Sequence, residues 1–141
     1  MFYKPLLLPM LLMVILTFAV WLRMYYLRIG EMKRKGIDPQ QVSTRAQGRS
    51  VLTDSAAASD SLANLFEMPV LFYAAILLAL ILMWQDPALV ALAWVYVMLR
   101  TLHSIIHTTY NDVLHRFWVY FMSCVALIGI WARLGWYIIY F

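Results

Sequence analysis

Two short patterns hold most of the groups in this chain that could do chemistry. One is Arg100-x-x-His103-x-x-x-His107, continued by Asn111, Arg116 and Tyr120; the other is Asn64-x-x-Glu67. The stretch from Arg100 to Tyr120 carries two of the 11 basic residues and all three histidines, although its flanks are almost purely apolar. Read as a helix at about 100° per residue, Arg100, His103, His107 and Asn111 fall within roughly 80° of one another. Such a stripe inside a membrane faces protein or a cavity rather than lipid tails. Asn64 and Glu67 also share a helix face, so an amide and a carboxylate point in one direction.

Several chemistries fit these residue types. A carboxylate within a membrane helix is costly unless paired, and Arg100, His103 and His107 are the candidates for Glu67, either within the subunit or across to a neighbour. That pairing has two readings, an ion pair that fixes helix packing and a polar ligand site open to the cytoplasm. His103 and His107 stand at metal-ligand spacing, with Glu67 as a conceivable third ligand for zinc or iron. The sequence offers fewer ligands than such sites use, so no metal is expected. No Ser-His-Asp arrangement, glycine-rich phosphate loop or Cys-x-x-Cys is present, and the single Cys124 reads as a small core residue.

The elements that must position these groups are membrane helices. The 141 residues are 65% hydrophobic with a mean hydropathy of +0.76, well above the apolar half of a soluble domain. Charged residues are clustered, and the uncharged intervals between them predict four spans over about 5–27, 62–83, 88–110 and 117–139, each able to cross some 30 Å of hydrocarbon. Pro69 lies inside the second span, where it frees a carbonyl and bends the helix unless neighbours compensate. A polar, basic loop over 28–60 joins the first two spans, and its end, residues 55–61, reads as a helix start with Asp60 or Ser61 as N-cap. Arg23 and Arg133 are expected to snorkel to the interfaces.

This arrangement predicts an all-α, single-domain, integral membrane four-helix bundle of up-down topology. The basic loop is expected on the cytoplasmic side, with both termini and Asp86 opposite, in a membrane of the bacterial inner type. The formal charge of +4 reflects that loop beside lipid and not a nucleic-acid partner. Glu67 and Arg100 come to comparable depth with opposite charge. The first apolar segment is too long for a signal-peptide core and lacks a small-x-small cleavage site, so it is expected to remain as a helix.

The combination of Asn64-Leu65-Phe66-Glu67, Arg100-x-x-His103-x-x-x-His107, Arg116 and Tyr120 resembles the pattern of the MAPEG family, the membrane-associated proteins of eicosanoid and glutathione metabolism. The resemblance covers the whole chain, residues 1–141, and the phrase NLFEMPVLFYA is similar to bacterial members. It implies a homotrimer binding glutathione as co-substrate at subunit interfaces, with a lipophilic small molecule arriving from the lipid. In that picture Asn64 and Glu67 hold the glutathione backbone, Arg100, His103, His107 and Tyr120 are further contacts, and Arg116 stabilises the thiolate. Arg23 or Arg28 would help neutralise a glutathione carboxylate. The activity implied is that of a glutathione transferase or peroxidase acting on lipophilic electrophiles. The chain departs from the pattern in three places. Asp60, Ser61, Leu62 and Ala63 stand where relatives often carry a basic residue, Phe117 follows Arg116 where a hydroxyl residue occurs, and Pro69 comes early. These departures imply an alternative, a non-catalytic member that binds a lipid or a protein partner.

Overall fold

A computed structural model describes residues 4–140, with the side chain of Arg45 excepted. Residues 1–3 and 141 of the expected domain lie outside the described residues. Helix α1 spans Lys4–Lys35, followed by a 3₁₀ turn at Pro39–Val42 and a short helix α2 at Arg45–Val51. Then come α3 (Ala56–Leu65), α4 (Met68–Ile81), α5 (Pro87–Thr108) and α6 (Val113–Tyr140). Helix α3 continues into α4 as one interrupted span, so four apolar stretches long enough to cross a membrane run alternately up and down.

The spans follow the hydropathy pattern, and their ends follow capping chemistry. Asp86 N-caps α5 by accepting the Ala88 N–H at 3.0 Å, with Pro87 at the first helical position, where a missing N–H costs nothing. The other oxygen of Asp86 accepts from Arg133 Nε at 2.6 Å, tying the α4–α5 turn to α6. Arg133 is therefore an ion-pair partner and not a free snorkelling residue, because the turn brings an acid within its reach. Arg23 likewise has a defined partner. It donates to the Thr108 carbonyl at 2.7 Å, satisfying one of the orphan acceptors at the C-terminal end of α5.

Small residues let the helices approach. Ala75, Ala79 and Ala93 are fully buried among Phe72, Ile76, Leu89, Ile130 and Leu134, and the Phe72 and Tyr96 rings stack at 4.7 Å. Between apolar helices in lipid the gain comes from such close van der Waals packing rather than from expelling water. The lipid-side face of α1 is built from Leu8, Leu11, Ile15, Phe18 and Leu22, all exposed at helical spacing.

Two expectations for the basic loop are corrected. At 1.5 Å per residue α1 is about 48 Å long, so its last turns continue past Leu27 to Lys35 and project beyond the hydrocarbon instead of forming loop. Helix α3 starts at Ala56 behind Ser55, at the near end of the expected 55–61 helix start and not with Asp60 or Ser61 as its N-cap, because Glu31 holds that end of the chain. Glu31 is 1% exposed and accepts from the Asp54 N–H at 3.0 Å, the Ser55 N–H at 2.9 Å, the Ser55 hydroxyl at 2.8 Å and the Lys35 ammonium. Burial by itself would raise this carboxyl, but the four donors outweigh it and hold the pKa at about 2.

Candidate functional site

Pro69 organises the site. It has no N–H to give, and its ring would collide with the Leu65 carbonyl four residues earlier. Helix α3 therefore stops at Leu65, Phe66 and Glu67 adopt non-helical backbone, and α4 restarts at Met68 with Pro69 in its first turn. The break leaves carbonyls at the end of α3 without helical partners. Arg100, fully buried on α5, fills the gap by donating from Nη2 to the Asn64 carbonyl at 2.6 Å. Its guanidinium carbon also sits 5.3 Å from the centre of the Tyr120 ring. A cation at a helix C-terminus stabilises by about 0.3–1 kcal/mol, and by up to about 2 kcal/mol when partly buried.

Within one chain the Glu67–Arg100 ion pair, one of the pairings considered for Glu67, does not form. Glu67 is exposed and makes no ion pair among the described residues, because the break turns it into an opening while Arg100 is drawn to the helix end. The two groups share a depth but point into different environments.

Behind the opening, α5 and α6 supply a buried layer. His103 donates from Nδ1 to the Arg116 carbonyl at 3.2 Å, and His107 from Nδ1 to the Ala57 carbonyl at 2.9 Å. Since carbonyls only accept, each imidazole carries its proton on Nδ1. The two rings stack at 5.7 Å, and Tyr120 lies 5.5 Å from His103 in a tilted contact. Both Nδ1 atoms are thus committed to main chain, and among the described residues no group of three His, Cys, Asp or Glu side chains is placed to hold a metal.

The opening itself is a cavity of about 940 Å³ at the end of the bundle that carries the basic loop. Asn64, Glu67, His107 and Arg116 line it, so four of the residues singled out in the sequence come together. Arg100, His103 and Tyr120 do not line it; they hold its wall from behind. Arg116 is half-buried and donates from Nη1 to Asn111 Oδ1 at 2.5 Å. Asn111 sits at φ 53°, a left-handed conformation that asparagine tolerates better than most residues. The adjacent Asp112 accepts the His115 N–H, which lowers its carboxyl below the usual carboxylate range.

Two further arginines line the cavity. Arg28 lies along Gly48, where an added Cβ would meet its Nη2 at 3.4 Å, whereas Arg23 is occupied at the end of α5. Arg49, on α2, was not singled out by sequence reasoning. A usable signal was present in Thr44-x-x-Gln47, which forms a reciprocal capping box and starts α2: Thr44 Oγ1 accepts from the Gln47 N–H at 3.3 Å, and Gln47 Oε1 from the Thr44 N–H at 3.1 Å. Just beyond that helix Glu31 holds the chain at Asp54 and Ser55, a contact that no local pattern reveals.

Among the described residues the cavity combines three guanidinium groups, the carboxylates of Glu67 and Asp60, an amide and an imidazole, with Met24, Leu62 and Phe66 in its apolar lining. That donor set suits a small peptide-like anion with one cationic group, and its volume lies in the range of ligand pockets of some 300–1,000 Å³. Compared with known proteins, residues 6–136 match the sequence profile described as the MAPEG family. Among curated proteins and solved structures, none matches the chain significantly.

Proposed function

The chain belongs to the MAPEG family, and on that premise we propose that it is a membrane-bound glutathione transferase or peroxidase acting on lipophilic electrophiles. The observation that carries this reading is the convergence of Arg116, Glu67, Asn64 and His107 on one polar cavity at the end of an otherwise apolar bundle. Glutathione presents one ammonium, two carboxylates and a thiol. Glu67, exposed and without an ion pair among the described residues, would take the ammonium, and the Asn64 amide would bond the peptide groups. Arg100 and Tyr120 serve by fixing the end of α3, and with it the direction in which Asn64 and Glu67 point.

Arg116 is the residue assigned to the thiol. A free thiol ionises near pH 8.5, and a guanidinium beside it favours the anion, which is the nucleophile. The side chain spends one N–H on Asn111, so other donors of the fork are free for sulfur. The thiolate sulfur then forms a bond to the electrophilic carbon as the leaving group departs with its electron pair. Arg116 acts throughout as a fixed charge. The site opens between the basic loop and lipid-facing helices, which suits one polar and one lipophilic reactant. In a cell we place the loop and cavity on the cytoplasmic side of a bacterial-type inner membrane, both termini opposite, with the chain assembled as a homotrimer.

The experiment is calorimetric titration of detergent-purified protein with glutathione, followed by conjugation of chlorodinitrobenzene. Saturable binding with turnover supports the enzyme. Binding without turnover on electrophiles or hydroperoxides supports the second reading, a non-catalytic binding protein, which the acidic Asp60 on the cavity wall favours.

A further inference from the structure

The two arginines that reach the cavity from the projecting end of α1 and from α2 are held differently. Arg28 makes no ion pair among the described residues, whereas Arg49 reaches Asp60 Oδ1 on α3 across 3.4 Å. The Arg49 and Asp60 side chains are 76% and 52% exposed, so water screens the contact and it is among the weakest class of ion pair. Asp60 also lies four residues before Asn64 on the same helix, hence on the same face and one turn away. An acid in that position faces the space a ligand must enter.

Charge counting sharpens the point. Among the described residues, three guanidinium groups, Arg28, Arg49 and Arg116, border the cavity together with two carboxylates, Asp60 and Glu67. Glutathione as thiolate carries three anionic groups and one ammonium. With the thiolate at Arg116 and the ammonium at Glu67, two ligand carboxylates remain for Arg28 and Arg49. Asp60 then has no ligand partner and can only compete.

Resting on the glutathione reading above, we infer that Arg49 recognises a ligand carboxylate and that Asp60 is its built-in competitor, displaced when the ligand binds. Arg49 thereby does from the loop what a basic residue on α3 would do from the helix. A free carboxylate can take the guanidinium fork bidentately, which the single 3.4 Å contact to Asp60 does not. The exchange sets affinity and leaves the chemistry at Arg116 untouched. Asp60 and Arg49 are therefore specificity residues, and removal of the acid should improve the protein as a binder.

The test is calorimetric titration of the full chain in detergent with glutathione, comparing wild type, Asp60→Asn, Arg49→Ala and the double variant. Asp60→Asn should bind about two- to fivefold more tightly, the range expected when a weak exposed pair no longer has to be broken. Arg49→Ala should bind about tenfold more weakly, Arg49→Lys should recover part of the loss, and Asp60→Asn should give no gain in the Arg49→Ala background. Of two glutathione analogues, one esterified at the glycyl carboxylate and one lacking the γ-glutamyl carboxylate, one should abolish the Asp60→Asn gain, a dependence that a purely structural role would not produce. If wild type binds glutathione and Asp60→Asn binds equally or less well, the competitor role is overturned while the glutathione reading stands. If neither wild type nor Asp60→Asn binds, both readings fall together.

Discussion

A double-mutant cycle on Glu67 and Arg100 separates two accounts of the buried charge. If Arg100 is the C-terminal cap of α3, its loss in Arg100→Met strands the Asn64 carbonyl away from water. An unsatisfied buried carbonyl costs about 1–3 kcal/mol, and the lost helix-end charge adds up to about 2 kcal/mol. Release of a buried guanidinium offsets part of this, since a cation in a low-dielectric interior carries a desolvation penalty of its own. The net destabilisation should be on the order of 2 kcal/mol. Glu67→Gln removes a charge that is exposed and unpaired among the described residues, and should change stability by no more than about 0.5 kcal/mol. The double variant should be the sum of the two singles to within about 0.5 kcal/mol. The readout is reversible unfolding in mixed detergent micelles at fixed protein concentration, followed by tryptophan fluorescence. A coupling energy above about 1 kcal/mol would show the two side chains paired and refute the capping argument.

Other predictions address the site and its supports. Arg116→Leu should leave unfolding nearly unchanged, because the side chain is half-buried and no carboxylate depends on it, yet it should raise the bound thiol's pKa towards about 8.5 and cut the conjugation rate at neutral pH by about tenfold or more. Lysine there should restore activity only in part, and wild-type turnover by Arg116→Leu would remove the thiolate role. Glu31 has a folded-state pKa depressed from 4.5 to about 2, so its contribution is fully present above the unfolded value and is lost as pH falls between those two limits. That contribution is on the order of 3 kcal/mol. Glu31→Gln should abolish this acid-side dependence and speed amide exchange in α2 at neutral pH, while weakening ligand binding through Arg49. An unchanged exchange pattern over residues 45–55 would show that the loop is positioned by other contacts.

The sequence by itself determined that four apolar helices cross the membrane, and it named four of the residues that line the cavity. Lipid leaves backbone groups no partner but their own helix, so apolar length alone identifies the crossing segments, and any polar group inside them stands out. For that reason Asn64, Glu67, His107 and Arg116 were legible one by one, from residue type and helical spacing, as was the resemblance that joins them to a family. Pro69 was legible as a perturbation. Its consequence was not, because the direction in which a chain leaves a helix break depends on what receives the freed carbonyls. Arg100 receives one of them from another span, which sends Arg100 to the main chain and leaves Glu67 open. The same holds for Arg133 with Asp86, for Arg23 with the end of α5, and for Glu31 with the start of α3. Each of these partners lies far along the chain, and a long flexible cation or a carboxylate bonds whatever acceptor or donor the packing brings within about 3 Å. Arg49 shows the limit most clearly. Its helix begins at a capping box written in the sequence, but the chain just beyond it is held by tertiary contacts around one buried glutamate.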